Sequence, residues 1–195
     1  MKTPISLDRW LSAQKGEKIY HISEGIEESF QHYRLSYSYY FRYLGIDPDL
    51  QGKSVIEVGP GRISSLLFCK NFSKSYVVEP TDYDGIDHLY LNSNIEILKQ
   101  RAEECEMPKV DEVWLFNLMQ HVQDPDKLID SCKKAAKVIR FFEPIDLPTN
   151  NEHPFSFSRE DFVGYFGDCV KNYVSIGEPN FHSANCVYGV FKTLA

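Results

Sequence analysis

From residue 54 onward, short apolar runs alternate with longer stretches of helical spacing, and few architectures accept that pattern. Strand-like runs are predicted at 54–58, 75–79, 96–98, 112–116, 137–142, 173–176 and 187–192. Helical stretches are predicted between them at 63–71, 125–135 and 159–166. Strand and helix in alternation imply an α/β fold, a mostly parallel sheet of seven strands with helices on both faces. Ligands in such sheets bind beyond the carboxyl ends of the strands. Each loop that follows a strand is therefore a candidate wall of a site.

The first 45 residues have a different pattern. A helix is predicted over 7–20, with Ser6 as N-cap and Leu7, Trp10, Leu11 and Gln14 on one face. A second is predicted over 28–44, where Phe30, Tyr33, Tyr37, Tyr40, Phe41 and Leu44 recur at helical spacing and Gly45 supplies the stop. These helices have no place in an alternating sheet. With Trp10, Tyr20, Tyr33, Tyr37, Tyr39 and Tyr40, they read as an aromatic cap over the site, or as ordinary amphipathic packing. The expectation is one domain over 1–195, with a helical cap (1–45) and an α/β core (46–195).

The formal charge of −7, with no basic block, makes a phosphate-rich polymer a poor partner. No apolar run is long enough to span a bilayer, and "MKTPISLDRW" lacks a signal-peptide core. The five cysteines are scattered, without a C-x-x-C pair. A reduced, cytoplasmic protein without a metal is expected.

The loops carry the chemistry. In "SVIEVGPGRI", Glu57 lies in a buried strand just before Gly59-Pro60-Gly61. Glycines there let a ligand approach the backbone, and a following helix would bring free N–H groups. The same residues also make a tight turn without a ligand. Glu79 ends the run "SYVVEP", followed by Pro80, about 20 residues beyond the glycines. That is the spacing at which an acid meets a ribose hydroxyl pair. Ala102 and Glu103 lie in the third such loop, and Asn117 and His121 follow the fourth strand.

Taken together, these residues resemble the class I S-adenosylmethionine-dependent methyltransferases. "EVGPG" is similar to the family's first motif, (acid)-x-Gly-x-Gly, and Glu79 to its acid after the second strand. "RAEE" resembles the segment lining the adenine, "FNLMQHVQDPDKLI" the segment after the fourth strand, and "EHPFSFSREDFVGYF" a late segment with a Ser-x-Glu-Asp helix start. The opening "WLSAQKGEKIY" looks like one seen in bacterial methyltransferases of small molecules. The resemblance runs from about residue 44 to the end, and implies a Rossmann-like core that binds S-adenosylmethionine through Glu57, Gly59, Pro60, Gly61, Glu79, Pro80, Ala102, Glu103 and Asn117. Ile63 stands where many relatives have a third glycine, which implies a bulkier wall at the methionine end.

Methyl transfer from a sulfonium needs alignment and exclusion of water, and a base only where the acceptor loses a proton. His153 and His121 are the candidates for that base, although a lone histidine is more often structural. Tyr33 and Tyr37 are candidates to meet a polar small-molecule acceptor such as a sugar or small amine. Two competing readings stay open. One is a nicotinamide-dependent oxidoreductase, whose Gly-x-Gly-x-x-Gly would end here in Ser64. The other is a methyltransferase-fold protein that binds without catalysis. The acceptor and the oligomeric state are not legible.

Overall fold

The computed structural model describes residues 2–83, 87–91, 93–174 and 185–193. Seven strands form one sheet: β1 (Val55–Val58), β2 (Ser75–Val78), β3 (Ile95–Leu98), β4 (Val110–Phe116), β5 (Ala136–Pro144), β6 (Lys171–Val174) and β7 (Asn185–Lys192). Their order is β3-β2-β1-β4-β5-β7-β6. β1 to β5 are parallel, and β7 runs antiparallel to both β5 and β6. The sheet's order reverses between β1 and β4, which places a ligand crevice at their carboxyl ends. The predicted strand at 173–176 begins two residues earlier, and its residues 175–176 lie outside the described residues.

Alternation along the strands divides the core in two. On one face Val113, Leu115, Ile139 and Phe141 pack with α4 (Pro125–Ala135) and α5 (Arg159–Phe166). On the other, Trp114, Phe116 and Phe142 meet α2 (Ile26–Leu44). The Tyr40 ring lies tilted at 4.9 Å from Phe116 and 5.0 Å from Phe142, and Phe41 lies 5.7 Å from Trp114. The second half of α2 is therefore a layer of the core, and only its first half reaches over the sheet's edge.

The caps are local and legible. Ser6 Oγ accepts from Arg9 N at the start of α1 (Leu7–Ile22), and Gly45 takes φ +62° after α2. Asp124 caps α4 with Pro125 at its first position, and Ser158 with Asp161 forms a capping box on α5.

Two expectations need correction. The helix predicted over 63–71 is a single 3-10 turn, Ser65–Phe68. The chain beyond it is drawn into extended pairing with residues 48–53: Lys70 N donates to the Pro48 carbonyl, Leu50 N to that of Lys70, and Gly52 N to that of Asn71. Those bonds outcompete helical propensity. On α1, Leu7 and Leu11 are exposed rather than packed with Trp10. The sequence pattern also missed the short α3 (Asp87–Leu91).

Candidate functional site

One cavity of about 270 Å³ opens at the carboxyl edge of β1 and β4, roofed by α1 and the first half of α2. Its floor is Gly59, Pro60 and Gly61; its walls carry Glu79, Pro80, Ala102, Glu103 and Asn117. Tyr33, Tyr37, His121 and His153 also line it. Sequence-predicted residues from six separate segments thus converge on one space.

The turn after β1 is held from every side. Gly59 (φ +59°) and Gly61 (φ +69°) adopt the left-handed conformation that favours glycine. A Cβ on Gly59 would lie 2.2 Å from Leu118 Cδ1, and one on Gly61 would lie 2.8 Å from the Tyr33 hydroxyl. The Gly61 N–H donates to Glu79 Oε2 at 3.2 Å, and Thr81 N donates to Oε1 at 2.9 Å. Part of the carboxylate's acceptor capacity remains for a ligand.

Glu57 does not line the cavity. It lies behind the turn, wholly buried, and Oε2 accepts from Ser65 N at 2.8 Å and from the Ser64 hydroxyl. Its other oxygen is buried without a partner. Its place is under the turn that approaches the ligand, which corrects its assignment to the cofactor-binding wall. Ile63 is also fully buried and off the wall, so no bulky face replaces the missing glycine. Three N–H groups after the turn are taken by the protein: Ser64 N by the Tyr90 hydroxyl, Ser65 N by Glu57, Leu66 N by Ser64 Oγ.

No family model matches the chain, and no curated protein matches it. Solved structures do. It is similar to the Burkholderia thailandensis 1,6-didemethyltoxoflavin-N1-methyltransferase, with 12% identity, 99% of this chain and 93% of the other covered, and a TM-score of 0.64. It is equally similar to the N-methyltransferase NodS of Bradyrhizobium japonicum WM9, at 10% identity, 94% and 97% coverage, and 0.64. The StiE O-MT superposes over 82% of this chain and 73% of its own, at 13% identity and 0.59. The chain has the class I S-adenosylmethionine-dependent methyltransferase fold.

Within this methyltransferase fold, the tyrosine and acid assignments sort by what their polar atoms do. The Tyr37 hydroxyl donates to the Ile63 carbonyl beneath the turn, so its polar end is structural rather than turned to an acceptor. The Tyr33 hydroxyl meets His21 Nδ1 at 2.7 Å and accepts from Arg62 N at 3.3 Å. Glu103 turns Oε1 to the N–H groups of Gln123 and Asp124, at 2.6 and 3.1 Å. Asn117, at φ +54°, accepts through Oδ1 from Gln120 Nε2 at 2.8 Å.

The two histidines meet. Their rings are 4.7 Å apart, edge to face, although 32 residues separate them. Sequence reasoning missed their companion, Glu17 on α1, whose Oε1 lies 3.3 Å from His121 Nδ1. Trp10, Gln14, Glu17 and His21 recur at helical spacing and all line the cavity. That stripe is mostly polar, so a search for apolar periodicity passes over it. A second omission is Glu143, at the end of β5, which accepts from Leu118 N (2.9 Å) and Met119 N (3.0 Å) and so fixes the loop leading to His121.

Burial sets the ionisation of these groups. It pushes Glu57 and Glu79 up to about 7 and Glu143 up to about 8, against backbone hydrogen bonds that favour the charge. Burial lowers His121 to about 4, although Glu17 opposes that shift. A carboxyl whose folded pKa is raised holds its proton more tightly than the unfolded chain does, so stability falls as pH rises from about 4.5 to the folded value. His121 acts in the opposite direction only below 6.5. Stability is therefore expected to fall between pH 6.5 and 8, with Glu143 contributing on the order of 1 kcal/mol. Denaturant midpoints across that window check this. Glu143→Gln should flatten the decline, and a slope unchanged in that variant would contradict the assignment.

Proposed function

We propose that the chain transfers a methyl group from S-adenosylmethionine to a polar small molecule. The observation that carries this reading is the glycine turn joined to Glu79 by one hydrogen bond on the wall of a single cavity. The carboxylate keeps acceptor capacity for a ribose hydroxyl pair, and the glycines leave the backbone approachable. Gly59, Pro60 and Gly61 would hold the amino-acid end, Glu79 and Pro80 the ribose, and Ala102, Glu103 and Asn117 the adenine side. When bound, the cofactor supplies the activated methyl group; the protein aligns it and keeps water out.

The comparisons support the same reading. The two structures at a TM-score of 0.64 are named as N-methyltransferases, and both hold S-adenosylhomocysteine. The oxidoreductase alternative is weakened by the local fold. A dinucleotide's pyrophosphate sits at a helix N-terminus after the glycine turn. Here the turn leads into four residues of 3-10 helix whose first N–H groups are already bonded within the protein. A sulfonium cofactor carries no phosphate and needs no such helix.

His121 and His153 are placed to handle an acceptor's proton. With a pKa near 4, His121 is neutral at pH 7 but a weak base alone. His153, half-buried on the loop after β5, is held by its own N–H donating to Asn150 Oδ1 at 2.6 Å. The acceptor is a sugar- or amine-like molecule small enough to share the cavity once the cofactor is in.

Calorimetry with S-adenosylmethionine against NADH, followed by S-adenosylhomocysteine production over a panel of hydroxyl and amine acceptors, tests the proposal. Binding of NADH but not the sulfonium, or cofactor binding without turnover, would reject it. Glu79→Ala should weaken cofactor binding at least tenfold, since a hydrogen bond to a charged group contributes about 1.5–3 kcal/mol. Equal affinity in the folded variant would remove Glu79 from the ribose. His153→Ala should lower turnover by about 10²-fold or more with cofactor affinity nearly intact, and a fall below about threefold would make this histidine structural.

A further inference from the structure

Three chain-distant segments bring metal-ligating atoms together on the wall of the cavity. Glu17 comes from α1, His121 from the 3-10 turn after β4, and His153 from the loop after β5. One donor atom of each lies within 4.8 Å of the other two. We propose that Glu17, His121 and His153 bind one divalent transition-metal ion.

The donor set is two imidazoles and a carboxylate, which suits zinc and its first-row neighbours rather than magnesium or calcium. Ligands at about 2.1 Å from a tetrahedral ion stand roughly 3.4 Å apart. His121 Nδ1 and Glu17 Oε1 already stand 3.3 Å apart. The widest pair stands no more than 4.8 Å apart. Three protein donors leave at least one position open, and all three residues line the cavity.

The segments are fixed to one another by bonds that do not use the ligating atoms. Trp10 Nε1 and Gln14 Nε2 both donate to the His121 carbonyl, at 3.1 and 3.2 Å. Arg9 donates from Nη1 to the Asn151 carbonyl at 2.7 Å. Glu17 Oε2 faces His21 Nε2 at 3.5 Å, so Oε1 is the oxygen directed to the cluster.

Two buried polar atoms at the cluster have no partner in good hydrogen-bond geometry: His121 Nδ1, off line to Glu17, and Gln120 Oε1; the Glu152 backbone also faces the His121 ring. As oriented, Gln120 Nε2 sits 3.1 Å from His121 Nε2 and 2.8 Å from Asn117 Oδ1. This leaves the imidazole proton on Nδ1. Turning over both amides places Gln120 Oε1 where it accepts from His121 Nε2–H and from Asn117 Nδ2–H. Nδ1 then presents a lone pair to the space beside Glu17. One ion, with Gln120 orienting the ring from behind, gives His121 Nδ1 its partner.

The ion site rests on its own geometry. Its use, to hold a hydroxyl or other oxygen of the acceptor at the open position and ease its deprotonation in place of direct proton transfer to the two histidines, rests on the methyl-transfer reading. That use narrows the acceptor class from polar small molecules to those that present a metal-binding oxygen.

Chelator-treated full-length protein titrated with Co²⁺ and Zn²⁺, by calorimetry and visible absorption, tests the site. One equivalent should bind, with the intense visible bands of a four- or five-coordinate Co²⁺. Glu17→Gln, His121→Ala and His153→Ala should each lose at least tenfold in affinity, and Gln120→Leu about tenfold. His88→Ala, at an exposed position on α3, should bind as the parent does. Absence of saturable binding, or affinity retained in the folded members of the first three variants, would overturn the proposal. S-adenosylmethionine is titrated into the same preparations. Metal binding without cofactor binding would reject the methyl-transfer reading alone, and cofactor binding without metal binding would reject the ion site alone.

Discussion

Buried carboxylates fastened to backbone N–H groups hold the loops at the carboxyl edge of the sheet. Glu57 holds the segment at Ser64 and Ser65, Glu79 holds Gly61 and Thr81, Glu103 holds Gln123 and Asp124, and Glu143 holds Leu118 and Met119. A buried carboxylate is costly unless its lone pairs are filled, and here loop N–H groups fill them. A loop over an open sheet edge needs acceptors for its N–H groups, and the strand-end acids supply them. The site geometry therefore depends on these buried carboxyl groups and their bonds to loop N–H groups.

That dependence shapes what the cavity can admit. At about 270 Å³ it is at the small end of ligand sites, which run to roughly 300–1,000 Å³. The Tyr33 hydroxyl and the His21 ring crowd Gly61. Arg62 ties the turn to the α1–α2 junction through the carbonyls of His21 and Glu24. The second half of α2 is locked in the aromatic core, so the elements over the glycines are anchored at that end.

Much of the fold was legible because its signal is local. The short apolar runs in "EVWLF" and "KVIRFF" mark β4 and β5, and Asp124-Pro125 and Ser158 mark helix starts. The 63–71 segment was misread because its partner is residues 48–53, a tertiary pairing that no local propensity reveals. The wall residues converge on one cavity, but Glu57 lies behind the turn and Tyr37, while lining the cavity, gives its hydroxyl to the Ile63 carbonyl. Which side of a turn a side chain takes depends on neighbours far along the chain, such as Ser64 for Glu57 and Ile63 for Tyr37. The Glu17–His121–His153 cluster was out of reach for the same reason. Each member is an unremarkable residue in its own segment, and only the docking of α1 brings them together.

The central claim is that this carboxylate-braced edge is a site for S-adenosylmethionine. A crystal structure grown with S-adenosylhomocysteine tests it most directly. The account predicts the ribose hydroxyls within hydrogen-bond distance of Glu79, the amino-acid end against Gly59 and Gly61, and the Tyr33 and His21 side chains withdrawn from the turn. A ligand bound elsewhere, or a ribose that leaves Glu79 bonded only to Gly61 and Thr81, would contradict it.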